Sequence, residues 1–297
     1  MPFMRTIKPL VLIACLLQGC ILGPEPTVNT LSFDQRCLLA GVVKCVGFDR
    51  PEKIEPFIYP PWEEKEKRGS IDFTQKASGK GSLRFEIPAY TAADTSGSFR
   101  QDFSTDSGLL FSEGDEFYVQ WRQRFSPEFL DTTYHDGGGW KQVIIGQGDR
   151  PGIIAYSCTP IELVVQNTYQ RGYPQMYHSC GAKDGHYEEF ERVSPIKYRA
   201  EEWMTFQVHI KIGTWYKNDG NYNRDSTVEL WVAREGYQSQ LAIRNKYYDL
   251  ASEDPTAGYG KIWLLPYHTG KSHKQNHPIA YTWYDDLIIS TNRIPDP

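Results

Sequence analysis

The sequence predicts an all-β fold, a β-sandwich or jelly roll of two packed antiparallel sheets with one face hollowed for a ligand. Three observations carry this. Runs of five to ten residues alternate apolar and polar along most of the chain. Turn-forming residues separate them, with 25 Gly and 19 Pro among 297 residues. Helical periodicity is almost absent, which leaves many short strands in two layers as the way to bury apolar faces.

The elements follow in order. "VVKCVGFD" (42–49) opens the fold, and "SLRFEIP" (82–88) puts Leu83, Phe85 and Ile87 on one face. "GSFRQDF" (97–103) sets Phe99 against Arg100. "EFYVQWRQRF" (116–125) alternates for its whole length, with Phe117, Val119, Trp121 and Gln123 opposite Tyr118, Gln120, Arg122 and Arg124. The span Lys141–Gly146 carries three β-branched residues. "IELVVQN" (161–167), "MTFQVHIKIG" (204–213), "STVELWVARE" (226–235), "GKIWLLPYH" (260–268) and "TWYDDLIIST" (282–291) complete the strands. The one candidate helical turn is "SPEFLDT" (126–132), where Pro127 follows Ser126 as N1 follows an N-cap. The segment 60–70 reads as a charged loop. No internal repeat is visible, so residues 33–297 read as one domain, expected as a monomer.

The amino terminus has a separate logic. Arg5 and Lys8 precede an apolar run from Leu10 to Leu17, too short to span a bilayer. This is a secretory signal, and its end, Leu17-Gln18-Gly19-Cys20, resembles a bacterial lipobox. The resemblance implies residues 1–19 as a signal peptide, lipidation of Cys20 and a tether over 20–32. Ile21 rather than Asp after the cysteine implies the outer membrane of the cell envelope. An ordinary signal peptide with a cysteine by chance is the alternative. The net charge of −5, with no basic block, makes the chain a poor nucleic-acid binder. Four cysteines remain, Cys37, Cys45, Cys158 and Cys180, which allow three pairings. Closeness in sequence favours Cys37–Cys45 and Cys158–Cys180, each stabilising by roughly 2.5–3.5 kcal/mol in the chain-entropy model. Neither a CxxC nor a Cys/His zinc spacing occurs.

Long polar side chains on strand faces suggest a ligand surface. His209 on 204–213 and Arg122 on 116–125 are candidates, each against the plainer reading of a solvated sheet face. The stretch "GGGWKQVIIGQGD" (137–149) sharpens the question, because Lys141, Gln142 and Gln147 sit in or beside a β-branched strand. Strand alternation puts Lys141 and Gln147 on one face and Gln142 on the other, unless a bulge at Gly146 or Gly148 resets the register.

Strand order and these motifs resemble the concanavalin A-like jelly-roll polysaccharide lyases, the group that includes alginate, glucuronan and heparin lyases. The resemblance covers roughly residues 40–297. It implies an arginine-bearing strand at "SFRQDF", a glutamine strand at "VIIGQGD" and a late strand at "KIWLLPYHTGK". Two departures stand out: the family's Gln-Ile-His is here Gln147-Gly148-Asp149, and its Tyr-Phe-Lys start is missing. "WYKNDGNYN" (215–223) resembles the third motif but reads as a hairpin loop. In the implied β-elimination, Arg100 and Gln147 neutralise a uronate carboxylate and Tyr267 acts as base or acid. His268 or His209 assists, and Lys141, Gln142, Arg122 and Trp140 contact substrate. Tyr267 and His268 are strand neighbours, so one of the two reaches the sugar.

Other features weigh less. His135 lies in a glycine-rich loop. His268, His273 and His277 lack the spacing of a metal site, and no cofactor is implied. Asp285 and Asp286 alternate faces and would supply only part of a structural Ca²⁺ site. The tryptophans are too many for one core, so one or two would stack on sugar. A lyase, a lectin-like binding protein with no chemistry, and a structural envelope lipoprotein are the three readings, in that order.

Overall fold

The computed structural model describes residues 31–61, 66–134, 139–159, 161–168, 172–180, 189–215, 223–250, 252 and 254–297. The expected signal peptide, Cys20, most of the tether and His135 lie outside them. The strands are β1 Val42–Val46, β2 Ile58–Tyr59, β3 Gly69–Asp72, β4 Ser82–Ile87, β5 Ser98–Asp102, β6 Glu116–Phe125, β7 Gly139–Gln147, β8 Glu162–Thr168, β9 Pro174–Ser179, β10 Glu191–Arg192, β11 Met204–Lys211, β12 Ser226–Ala233, β13 Gln240–Tyr248, β14 Tyr259–Leu264 and β15 Ala280–Ser290. Four short helices interrupt them: α1 Phe33–Cys37, α2 Pro51–Ile54, α3 Phe103–Ser107 and α4 Pro127–Asp131.

The strands form two antiparallel sheets. One runs β10-β13-β12-β11-β6-β15-β4-β3 with β1 also on β15; the other runs β2-β5-β14-β7-β8-β9. Sequence-distant strands lie side by side, as a jelly roll requires. The core between the layers takes one face of each strand: Leu83, Phe85 and Ile87; Phe117, Val119 and Trp121; Phe206, Val208 and Ile210; Ile262 and Leu264. Trp121 stacks on Phe206 at 5.4 Å, and Trp140 packs among Phe125, Phe129 and Tyr198. Helix α4 begins as expected, with the Ser126 hydroxyl accepting from the Phe129 N–H and Pro127 in the first turn. Both disulfides form in the expected pairing, Cys37–Cys45 and Cys158–Cys180.

A polar network crosses the core. Gln123 accepts from the Trp121 indole and from the Gln142 amide (2.9 Å), and its own amide donates to Thr282. Gln142 in turn accepts from the Tyr198 hydroxyl at 2.5 Å. The register of β7 against β8 shifts between Lys141 and Val143, so Gln142 is the extra residue of a bulge. The reset therefore falls at Gln142 rather than at Gly146 or Gly148. Both Gln142 and Val143 face inward, and Lys141 faces out with Ile144.

A second irregularity corrects another expectation. Asp285 pairs with Arg122 and Ile288 with Gln120, so β15 bulges there, with Asp286 at φ 49°. Asp285 and Asp286 consequently work on one face. Asp285 accepts from the Ala77 and Ser78 N–H groups, and Asp286 pairs with Arg36 of α1 at 2.7 Å and accepts from the Ser78 hydroxyl. Burial, reinforced by the charge of Asp286, pushes Asp285 up to about 7. These contacts seat α1 and the 77–78 turn on the outer face of the larger sheet. The carboxyl-terminal tail covers the same face, because Gln207 exchanges two hydrogen bonds with the Ile294 backbone.

Candidate functional site

The outward face of the smaller sheet carries a cleft of about 370 Å³. Alternation aims its side chains. On β5, Phe99 goes to the core and Arg100 to the cleft; on β14, Ile262 and Leu264 go in and Trp263 goes out. Ile144, Val164, Tyr177 and Trp263 form a small apolar cluster on this face, and Ile144 and Trp263 of it line the cleft. Gly146 is required beside it. A Cβ there would lie 2.6 Å from the Trp263 ring, so only glycine lets the indole cross β7. Pro60, Pro61, Asp94 and Gly97 bound one side of the cleft, and the Cys158–Cys180 bridge lies in its wall.

Three polar side chains converge here. Arg100 lies 4.2 Å over the Tyr59 ring. Lys141 reaches the cleft because of the Gln142 bulge, and its ammonium stands 5.3 Å from the centre of the Tyr267 ring. The chain after β14 still runs along β7, where the Lys141 N–H donates to the Tyr267 carbonyl at 2.9 Å. That pairing holds the Tyr267 ring next to the ammonium.

Glu162 also lines the cleft although it is only 1% exposed. Burial raises its pKa; hydrogen bonds from the Cys158 N–H, the Ser179 hydroxyl and the Thr159 N–H, with the Lys141 charge, oppose the shift without cancelling it. Lys261 fixes the segment above. Its ammonium bridges Asp149 at 2.6 Å and Asp102 at 3.2 Å and donates to the Ala155 carbonyl, which pins residues 149–155 beside the site. Asp149, where the resembled motif has histidine, is thus a structural anchor.

The sequence-derived candidates separate into three groups. Arg100, Lys141 and Tyr267 line one cleft. Trp140, Gln142 and His268 point the other way, into the interior. His268 is completely buried between Phe129 and Tyr134, with Nδ1 against the Pro266 carbonyl, and desolvation lowers it to about 3. It is therefore a neutral core residue with no access to a sugar. Gln147 stands at the far end of β7 opposite Tyr259, on the face of Ile145, and does not line the cleft. His209 and Arg122 belong to the other layer. His209 is held between Glu116 and Glu229 at 2.8 and 3.1 Å and stacks on Tyr118. Arg122 donates to the Ala77 carbonyl and pairs with Glu235 at 3.5 Å. Both serve the sheet surface that α1 and the tail cover.

Sequence reasoning passed over Glu162, left Trp263 undistinguished among the tryptophans that could stack on sugar, and did not single out Tyr177 of the neighbouring apolar cluster. The alternation of "IELVVQN" and "GKIWLLP" does put Glu162 and Trp263 on outward faces. "PQMYHS" is buried on both faces, has no alternation, and gave no signal for Tyr177.

No protein-family model matches the chain, and no curated protein does. Solved structures do. A marine PL-14 alginate lyase from Aplysia kurodai superposes with a TM-score of 0.58 at 14% identity, over 85% of this chain and 100% of that one. An endo-β-1,4-glucuronan lyase from the fungus Trichoderma reesei gives 0.49 at 11% identity, over 79% and 94%. The fold is a concanavalin A-like jelly roll, shared with the alginate lyase.

Proposed function

We propose that this protein is an exported, lipid-anchored enzyme of the cell envelope that cleaves a uronate-containing polysaccharide by β-elimination. The observation that carries the proposal is the convergence of Arg100, Lys141 and Tyr267 on one cleft of the open sheet. The fold shared with an alginate lyase supports it, and the Leu17-Gln18-Gly19-Cys20 stretch supports the anchor.

Each group has a role that its chemistry suits. The Arg100 guanidinium binds the uronate carboxylate, so that charge building on the neighbouring carbon is not added to an uncompensated anion. Tyr267, acting as its phenolate, takes the proton from that carbon. The C–O bond at the next carbon breaks, the leaving sugar oxygen takes a proton back from the Tyr267 phenol, and a C=C bond remains in the product.

The test is a panel of polyuronates incubated with purified protein while the ultraviolet absorbance of an unsaturated uronide is followed. A rise on one polymer is expected. Retained binding to a polymer with no rise on any would make the protein a lectin and overturn the elimination.

A further inference from the structure

We propose a second saccharide site, a cationic pocket that binds the carboxylate-bearing unit of an acidic polysaccharide away from the cleft. It goes beyond the cleft reading and stands without it. The pocket has a volume of about 230 Å³ and lies between residues 195–199 and the β12–β13 turn. It shares no lining residue with the cleft.

Local structure makes the pocket cationic. Residues 197–199 are held across the end of the sandwich by the Tyr198 side chain, which is buried in the core and bonded to Gln142. With Tyr198 facing inward, Lys197 and Arg199 both face outward into the pocket. Among the described residues neither has an ion-pair partner. Arg234, opposite, is different: its guanidinium grips Glu202 in a two-pronged pair at 2.9 Å on each prong, which fixes it as a wall. The turn Arg234–Tyr237 closes with the Tyr237 N–H on the Arg234 carbonyl and sets the tyrosine ring on the rim, 5.4 Å from the guanidinium.

The contents define the ligand. Lys197 and Arg199 supply two uncompensated positive charges, which call for an anion. The volume exceeds what a tetrahedral oxyanion fills and is of the order of one sugar ring. Tyr237 offers a ring face to the apolar side of a sugar, and the amides of Gln238 and Gln240 match hydroxyls. A carboxylated sugar satisfies all of these together, whereas inorganic phosphate uses only the charges. An enzyme acting on a polymer gains from such a site because a second contact holds the polymer near the cleft at high effective concentration.

The experiment silences the cleft first. Calorimetry on Arg100→Ala/Lys141→Ala, with oligoglucuronate and oligoalginate as probes, is expected to retain binding. Adding Lys197→Ala/Arg199→Ala to that protein is expected to weaken binding tenfold or more, with an unchanged urea midpoint because both side chains are exposed. Neutral cello-oligosaccharide is expected not to bind, and inorganic phosphate to compete only weakly. Complete loss of binding in the cleft double variant, or no effect of the second pair, overturns the pocket. Phosphate competing as well as the oligosaccharide overturns its assignment to sugar. Failure of the elimination alone shows in the wild-type absorbance assay and leaves this binding intact.

Discussion

Replacing Gln142 with leucine tests how the core builds the cleft. Gln142 is fully buried, and its side chain has a partner at each end: it donates to Gln123 at 2.9 Å and accepts from Tyr198 at 2.5 Å. Leucine matches the volume and removes both bonds. Neither partner is wholly orphaned, since Gln123 still accepts from the Trp121 indole at 3.2 Å and Tyr198 still has the Gln166 carbonyl at 3.3 Å. The low end of the usual cost therefore applies to each, giving a total loss of about 2–3 kcal/mol. For a domain of this size that is a fall of about 1 M in the urea midpoint. The same residue is the extra one in the β7 bulge, and the bulge turns Lys141 outward. Turnover per folded molecule should therefore fall as well, by about tenfold, since misplacing a cleft group by an ångström is costly. Urea unfolding and the absorbance assay on one preparation measure both. An unchanged midpoint would refute the network as a source of stability. A lowered midpoint with unchanged turnover would refute the link from bulge to cleft.

Three further outcomes are expected. His268, held neutral with a pKa lowered to about 3, binds its proton more readily when unfolded, so its contribution to stability is present above pH 6.5 and is lost as pH falls toward 3. A His268→Gln variant should show a flatter fall in stability between pH 6 and 4 than the wild type, and parallel curves would contradict the assignment. Arg36→Met leaves Asp286 buried without its cation and should cost about 3–5 kcal/mol, read as a drop in thermal midpoint. Removing the Cys158–Cys180 bridge with two serines should cost about 3 kcal/mol, and because the bridge lies in the cleft wall it should also raise KM.

The sequence revealed the elements better than the site. β6 matches its expected span of ten residues, since its alternation is uninterrupted. The Ser126 cap and both disulfide pairings were legible because each is a local signal. β9 and β13 were not, the first buried on both faces and the second interrupted by register shifts against β12. The site depended on side-chain direction, which bulges decide. One extra residue at Gln142 separated Lys141 from Gln147, and another in β15 brought Asp285 and Asp286 to one face. Which of two wet faces is the ligand face was also invisible in alternation alone. His209 and Arg122 looked like cleft residues, yet their layer is the one that α1 and the tail cover. The choice between layers is made by contacts such as Arg36–Asp286, which join residues 250 positions apart.

The most direct measurement compares wild type with Tyr267→Phe on a polyuronate that the wild type degrades. Phenylalanine keeps the ring beside Lys141 and removes only the hydroxyl. The expected result is a loss of absorbance increase by at least a hundredfold with polymer binding unchanged. A variant that still generates the unsaturated product at the wild-type rate would contradict the cleft of Arg100, Lys141 and Tyr267 as the centre of elimination.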